Sequence, residues 1–188
     1  PSAKVIYFRG SATGTKSLFT SSSASNAWIF TNSTNLEAIG NINMLIQDVL
    51  GGDIEDIPLA NNCYSNMFYS CTSLVTSPAL PATTLAPGCY DSMFRDCTSL
   101  TTAPTLPAIA LKAYCYNSMF YGCTKLTTAP ALPATTLATN CYFYMFSGCT
   151  SLVSAPVLPS TTLATGCYGS MFRGCTSLVT VPTLPATT

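Results

Sequence analysis

The residues of this chain with the most chemistry to offer are its ten cysteines, and their spacing is regular to the residue. Cys63, Cys89, Cys115, Cys141 and Cys167 each open a phrase, and Cys71, Cys97, Cys123, Cys149 and Cys175 follow eight residues later. Successive phrases start 26 residues apart without insertion. A thiol can serve as nucleophile, metal ligand or half of a disulfide. Zinc has no good ligand set here, because the chain lacks histidine and has no close Cys-x-x-Cys pair. A helical segment between the two cysteines of a phrase would set their α-carbons about 12 Å apart, against the roughly 4.4–6.8 Å that a disulfide wants. Pairing within a phrase therefore needs the segment to bend back on itself. Neighbouring phrases stacked about 4.8 Å apart would suit a bridge, but five equivalent cysteines cannot all pair along one ladder. Two readings stay open: buried thiols stacked as small apolar core residues, which the spacing favours, and disulfides within each phrase of an exported protein.

Other reactive groups are few. Charged residues make up 7% of the chain and the net charge is zero, which excludes the basic footprint that nucleic acid requires. In the repeated region Asp91, Arg95, Asp96, Lys112, Lys125 and Arg173 each sit where most other phrases carry an uncharged residue such as Ser, Gly, Tyr or Ala. No carboxylate pair recurs, and no histidine can act as a base, so converging catalytic groups are not expected and the chain reads as non-enzymatic. Asp53, Glu55 and Asp56 in "GGDIEDIP" form the one acidic cluster. It reads as a solvated loop rather than a Ca²⁺ site, since further oxygen ligands at loop spacing are missing. No metal or cofactor is expected.

Recognition chemistry is better represented. Tyr64, Tyr90, Tyr116, Tyr142 and Tyr168 follow the first cysteine of each phrase, giving a tyrosine stripe suited to sugars or protein surfaces if exposed, or sealing a core if not. Thr76, Thr102, Thr128, Ser154 and Thr180 recur in register as a flat, uncharged hydroxyl array. The candidate ligand-binding residues are thus Tyr64, Tyr90, Tyr116, Tyr142, Tyr168, Thr76, Thr102 and Thr128. The doublets that vary between phrases follow the Tyr and the Phe, and there any partner specificity would be written.

The elements that must position these residues follow from the period. A repeat of about 20–50 residues signals a solenoid, propeller or array. Within one unit "SLVTSPALP" supplies a short strand with Leu74 and Leu80 inward, bounded by Pro78 and Pro81, which cannot donate to a ladder. "ATTLAPG" is a turn anchored by Leu85. "CYDSMF" predicts a short helical or 3-10 segment with Cys89 and Phe94 inward. The fold class expected is an α/β repeat solenoid, with one short parallel strand and one such segment per 26-residue coil.

Residues 1–62 lack the period and read as an N-terminal capping segment; five repeats fill 63–188. "KVIYFRG" and "NAWIFTN" are strand candidates. Residues 41–50 predict an amphipathic helix with Ile42, Leu45, Ile46, Val49 and Leu50 on one face, Asn41 as N-cap and Gly51 as stop. Such a segment would cover the open edge of a first coil. No apolar run reaches the ~20 residues of a membrane span, and the chain reads as a fragment of a longer protein.

The run "MFxxCTSLxxxPxLPxTTLxxxCYxxMF" resembles the BspA-like leucine-rich repeats of bacterial surface proteins, whose pattern is Ala-Phe-x-x-Cys-x-x-Leu-x-x-Ile-x-Leu-Pro. Phe68, Cys71, Leu74, Leu80 and Pro81 match it in order, as do their equivalents in later units. The units here are about three residues longer, and the first cysteine falls where the family usually carries Ile. The resemblance implies export to the extracellular space or cell surface, a leucine-rich-repeat superhelix, and adhesion to a host or bacterial surface protein or glycan. The alternative is a purely structural spacer or fibre segment of a cell-surface filament or phage tail, with end-to-end self-association. Ice binding, the remaining rival, lacks its regular Thr-x-Thr array.

Overall fold

A computed structural model describes residues 4–7, 36–39, 59–182 and 184–185 of the chain. Three strands form a parallel sheet in sequence order: β1 (Lys4–Tyr7), β2 (Leu36–Ile39) and β3 (Leu74–Thr76). Lys4 pairs with Leu36, and Leu36 with Leu74. Beyond β3 the ladder continues as single parallel bridges, Thr76 to Thr102, Thr102 to Thr128, Thr128 to Ser154 and Ser154 to Thr180. Each later unit contributes isolated bridging residues instead of a full strand, with a further parallel bridge from Ala110 to Thr136. Pro78, Pro104, Pro130, Pro156 and Pro182 stand two residues past the bridge in every unit, that of β3 included, and limit pairing beyond it, since proline has no N–H for a ladder. β1 lies within the stretch expected to be a strand, and β2 is an addition. "NAWIFTN", the helix expected over 41–50 and the acidic cluster at 53–56 fall outside the described residues.

Between the cysteines of a unit the expected helical or 3-10 segment is replaced by a run of overlapping β-turns. In the first unit Cys63 N–H donates to Ala60 O, Ser65 to Asn62, Met67 to Tyr64, Tyr69 to Asn66 and Cys71 to Phe68, each three residues back. The residues between them donate elsewhere, to the following unit. Asn62, Asn66 and Ser70 hold φ of 56°, 57° and 57°. A left-handed residue at every fourth position cannot extend a right-handed helix. Across the units these positions carry mainly Asn, Ser, Asp and Gly, which tolerate that conformation best. Turns chained in this way point adjacent side chains to the same side in pairs. Cys63 and Tyr64 face in, Ser65 and Asn66 partly out, Met67 and Phe68 in, Tyr69 and Ser70 out, and Cys71 in. The phrase Cys-Tyr-x-x-Met-Phe-x-x-Cys is this in–out alternation of pairs.

Like residues of successive units lie on one another. Phe68, Phe94, Phe120, Phe146 and Phe172 form an offset stack with centroids 5.4–5.8 Å apart and planes within 8°. Leu74, Leu100, Leu126 and Leu152 are fully buried beside it. Burying one such side chain is worth about 1.5–3 kcal/mol, and every unit repeats the contribution. Ion pairing adds little: among the described residues one pair occurs, Arg95 with Asp96 at 3.5 Å, and it is half-exposed.

Candidate ligand-binding surface

Two surfaces carry the residues singled out from sequence. On the strand side, Leu74 and its equivalents anchor the backbone from within, and the parallel bridges bring Thr76, Thr102, Thr128, Ser154 and Thr180 into one column. Thr102, Thr128, Ser154 and Thr180 are exposed, while Thr76 is half-buried with its Oγ1 unpartnered. Beside them runs the column Val75, Thr101, Thr127, Val153 and Val179. Its backbone is tied between units by Thr101 N–H to Val75 O at 3.2 Å, Val153 N–H to Thr127 O at 3.2 Å and Val179 N–H to Val153 O at 2.9 Å. The prolines that end the strand then line an apolar hollow of about 280 Å³, walled by Pro130, Pro133, Pro156, Val157 and Pro159. The arrangement offers hydroxyls for hydrogen bonding next to an apolar shelf, with no fixed charge.

The turn side differs from the sequence expectation. Tyr64, Tyr90, Tyr116 and Tyr142 are at most 2% exposed, so their rings offer a ligand no surface. They form an internal column with centroids 5.6–5.9 Å apart and planes within 10°, which ends on the half-buried Tyr168. The cause is the paired orientation set by the turns: Tyr shares the inward direction of the cysteine before it. The Tyr90 and Tyr116 hydroxyls find no hydrogen-bond partner, and desolvation drives both phenols well above their ordinary range.

What does reach the surface on this side is part of the variable doublets, while Ser92, Ser118 and Ser147 among them are buried. The Arg95 guanidinium lies 4.3 Å from the Tyr121 ring centroid and 5.8 Å from that of Tyr69, spanning three units. Tyr121 meets Tyr144 edge-on at 6.3 Å, and Tyr144 meets Phe143 at 4.2 Å. Nearby, Asn117 Nδ2 and Ser92 Oγ both donate to Asp91 Oδ1 at 2.9 Å. Burial raises the Asp91 carboxyl, an effect these two hydrogen bonds and Arg95 oppose. The sequence marked these positions as variable. Their convergence into one aromatic patch depends on the 26-residue stacking, which sets residues 69, 95 and 121 side by side.

The cysteines are thiols, nine buried and Cys175 half-buried. In the second cysteine column each thiol donates to the Phe carbonyl of the unit before: Cys97 to Phe68, Cys123 to Phe94, Cys149 to Phe120 and Cys175 to Phe146, at 3.0–3.1 Å. Burial pushes Cys63 and Cys115 up to about 12 and Cys141 to about 11. Protonated thiols are poor nucleophiles and poor ligands. No group of three or more metal-ligating side chains occurs among the described residues. Lys112, Lys125 and Arg173 are exposed and lie on different units.

Comparison with protein-family models, with curated proteins and with solved structures finds no match to this chain. The functional reading therefore rests on the residues themselves.

Proposed function

We propose that this chain is a non-enzymatic adhesion or ligand-binding domain of the leucine-rich-repeat solenoid class, resembling the BspA-like repeats, and that it works at the cell surface or outside the cell. The binding surface is the strand side, where hydroxyls stand in register beside the proline-lined hollow. The observation that carries the reading is the exposure of Thr102, Thr128, Ser154 and Thr180 in one continuous column. An uncharged hydroxyl array flanked by apolar shelf suits a glycan or a polar protein surface, whose hydrogen-bonding groups it matches without desolvating a charge. The tyrosine column belongs to the core and takes no part.

The test is an array of glycans and surface proteins probed with the 188-residue chain, then with a Thr102→Lys, Thr128→Lys double variant. Binding is expected to fall at least tenfold in the variant while its melting temperature holds, because both side chains are exposed. Binding that survives both lysines unchanged refutes the assignment to this face. A purely structural spacer role is the second reading, favoured by the near-identical internal columns. It gains if the arrays show no ligand at all.

A further inference from the structure

Each unit carries two doublets between its inward pairs, one after the Tyr and one after the Phe. Ser, Asn, Asp and Gly fill most of these positions. In the first four units the large exceptions are Tyr69, Arg95, Tyr121, Tyr144 and Phe143. They come from four different units, yet each meets the next. The steps are 5.8, 4.3, 6.3 and 4.2 Å, measured between ring centroids or from the guanidinium carbon. Ser92, Ser118 and Ser147 in the same doublets are buried, so the larger side chains form the outer layer.

Polar groups border this layer with hydrogen-bonding capacity left over. Asp91 Oδ1 accepts from both Ser92 and Asn117, which fixes the carboxylate and leaves Oδ2 without a donor among the described residues. Asn117 uses Nδ2 in that contact, and its Oδ1 accepts from no described residue. The Arg95 Nη groups likewise donate to no described residue. The backbone here is already bonded. Asn66, Ser92 and Ser118 N–H donate to the Asp91, Asn117 and Phe143 carbonyls, and Ser70, Asp96 and Gly122 to those of Arg95, Tyr121 and Ser147. A peptide that binds by adding a strand therefore finds no edge on this side, and recognition falls to the side chains.

We propose that this patch binds a neutral glycan chain, with sugar C–H faces against the Tyr69, Tyr121 and Tyr144 side chains and hydroxyls bonded to Asp91, Asn117 and Arg95. Charge selects the class. Asp91 and Asp96 set two carboxylates around one guanidinium, Asp96 at 3.5 Å, so an acidic sugar meets net negative charge. A cationic ligand seeking ring faces finds Arg95 already over them. A neutral sugar meets neither obstacle: its hydroxyls pair with the free acceptors and donors, and its apolar face covers ring surface. Spacing agrees. Units follow one another at 5.4–5.9 Å, read from their stacked rings, which is close to the length of one pyranose residue. A linear chain running along the stack thus meets one unit per sugar. The site lies on the turn side, and the inference does not rest on the hydroxyl face.

The test is calorimetric titration of the 188-residue chain with cellohexaose, laminarihexaose, maltohexaose, xylohexaose and mannohexaose, and with hexagalacturonate as the acidic control. At least one neutral hexasaccharide is expected to bind. Tyr121→Ala should weaken it by roughly tenfold or more, while Tyr121→Phe, which keeps the ring, stays within about twofold. The Thr102→Lys, Thr128→Lys variant should bind it as the unaltered chain does, which separates this site from the strand side. Thermal melting checks that Tyr121→Ala folds, and Tyr144→Ala takes its place if it does not. The proposal is overturned if no neutral hexasaccharide binds, if hexagalacturonate binds more tightly, or if both alanine variants bind undiminished. It is also overturned if these variants lose only the capture of a surface protein, which would make a protein the occupant.

Discussion

Phe120→Ala tests the central physical claim, that the fold is held by continuous internal columns. Phe120 is fully buried, with Phe94 and Phe146 each 5.7 Å away. Removing it takes away one buried ring, empties a space the flanking units cannot easily collapse into, and breaks two ring–ring contacts. Burial loss and cavity together cost about 3–5 kcal/mol for Phe→Ala. Each lost ring pair accounts for about 0.5–1.5 kcal/mol, and some of that overlaps with the first figure. Against a total stability of about 5–15 kcal/mol for a typical domain, the loss should be plain. Phe172→Ala is the internal control: the same chemistry, half-buried, with one stacked neighbour. It should cost less than half as much. Urea unfolding followed by circular dichroism, read as the shift in midpoint at constant slope, measures both. Equal costs for the two variants, or a Phe120→Ala cost below about 1 kcal/mol, would refute the columnar core.

Three further outcomes are expected. Between about pH 6 and pH 8 the thiols should leave stability flat, because they are protonated folded and unfolded alike below their ordinary value of 9.0. Above that the unfolded thiols ionise while Cys63, Cys115 and Cys141 stay protonated to about 12, 12 and 11. Each then subtracts up to about 1.4 kcal/mol per pH unit, and urea midpoints that hold steady to pH 11 would contradict the burial. Tyr116→Phe removes a buried hydroxyl without a partner and should leave stability unchanged or raise it by about 1 kcal/mol; a clear loss would mean that the hydroxyl is bonded in solution. Tyr114 holds φ of 59° with its ring largely exposed, so Tyr114→Gly should raise the thermal midpoint, the relief being about 1 kcal/mol.

The columns were legible in the sequence. An unbroken period of 26 with Cys, Phe and Leu at fixed places requires those side chains to superpose once the units stack, and Leu74, Leu80, Leu85, Cys89 and Phe94 are all buried. The hydroxyl register of Thr76, Thr102 and Thr128 follows from the same period. The turn side was harder. Gly, Asn, Ser and Asp recurring every fourth residue, as at 88, 92 and 96, were the available signal for chained turns, but a Cys-Tyr-x-x-Met-Phe spacing fits a helical face equally well.

The amino-acid order alone determined which residues share a column, because identical spacing leaves no other partner at each level. Only the tertiary structure decided which side of each column faces water. Left-handed residues at every fourth position turn neighbours inward in pairs, which hid the tyrosines and joined Tyr69, Arg95 and Tyr121 on the outside. The direction of the bonds between units was likewise invisible in the sequence, since every residue but proline carries both an N–H and a carbonyl, and only the chain path settles which way each one points.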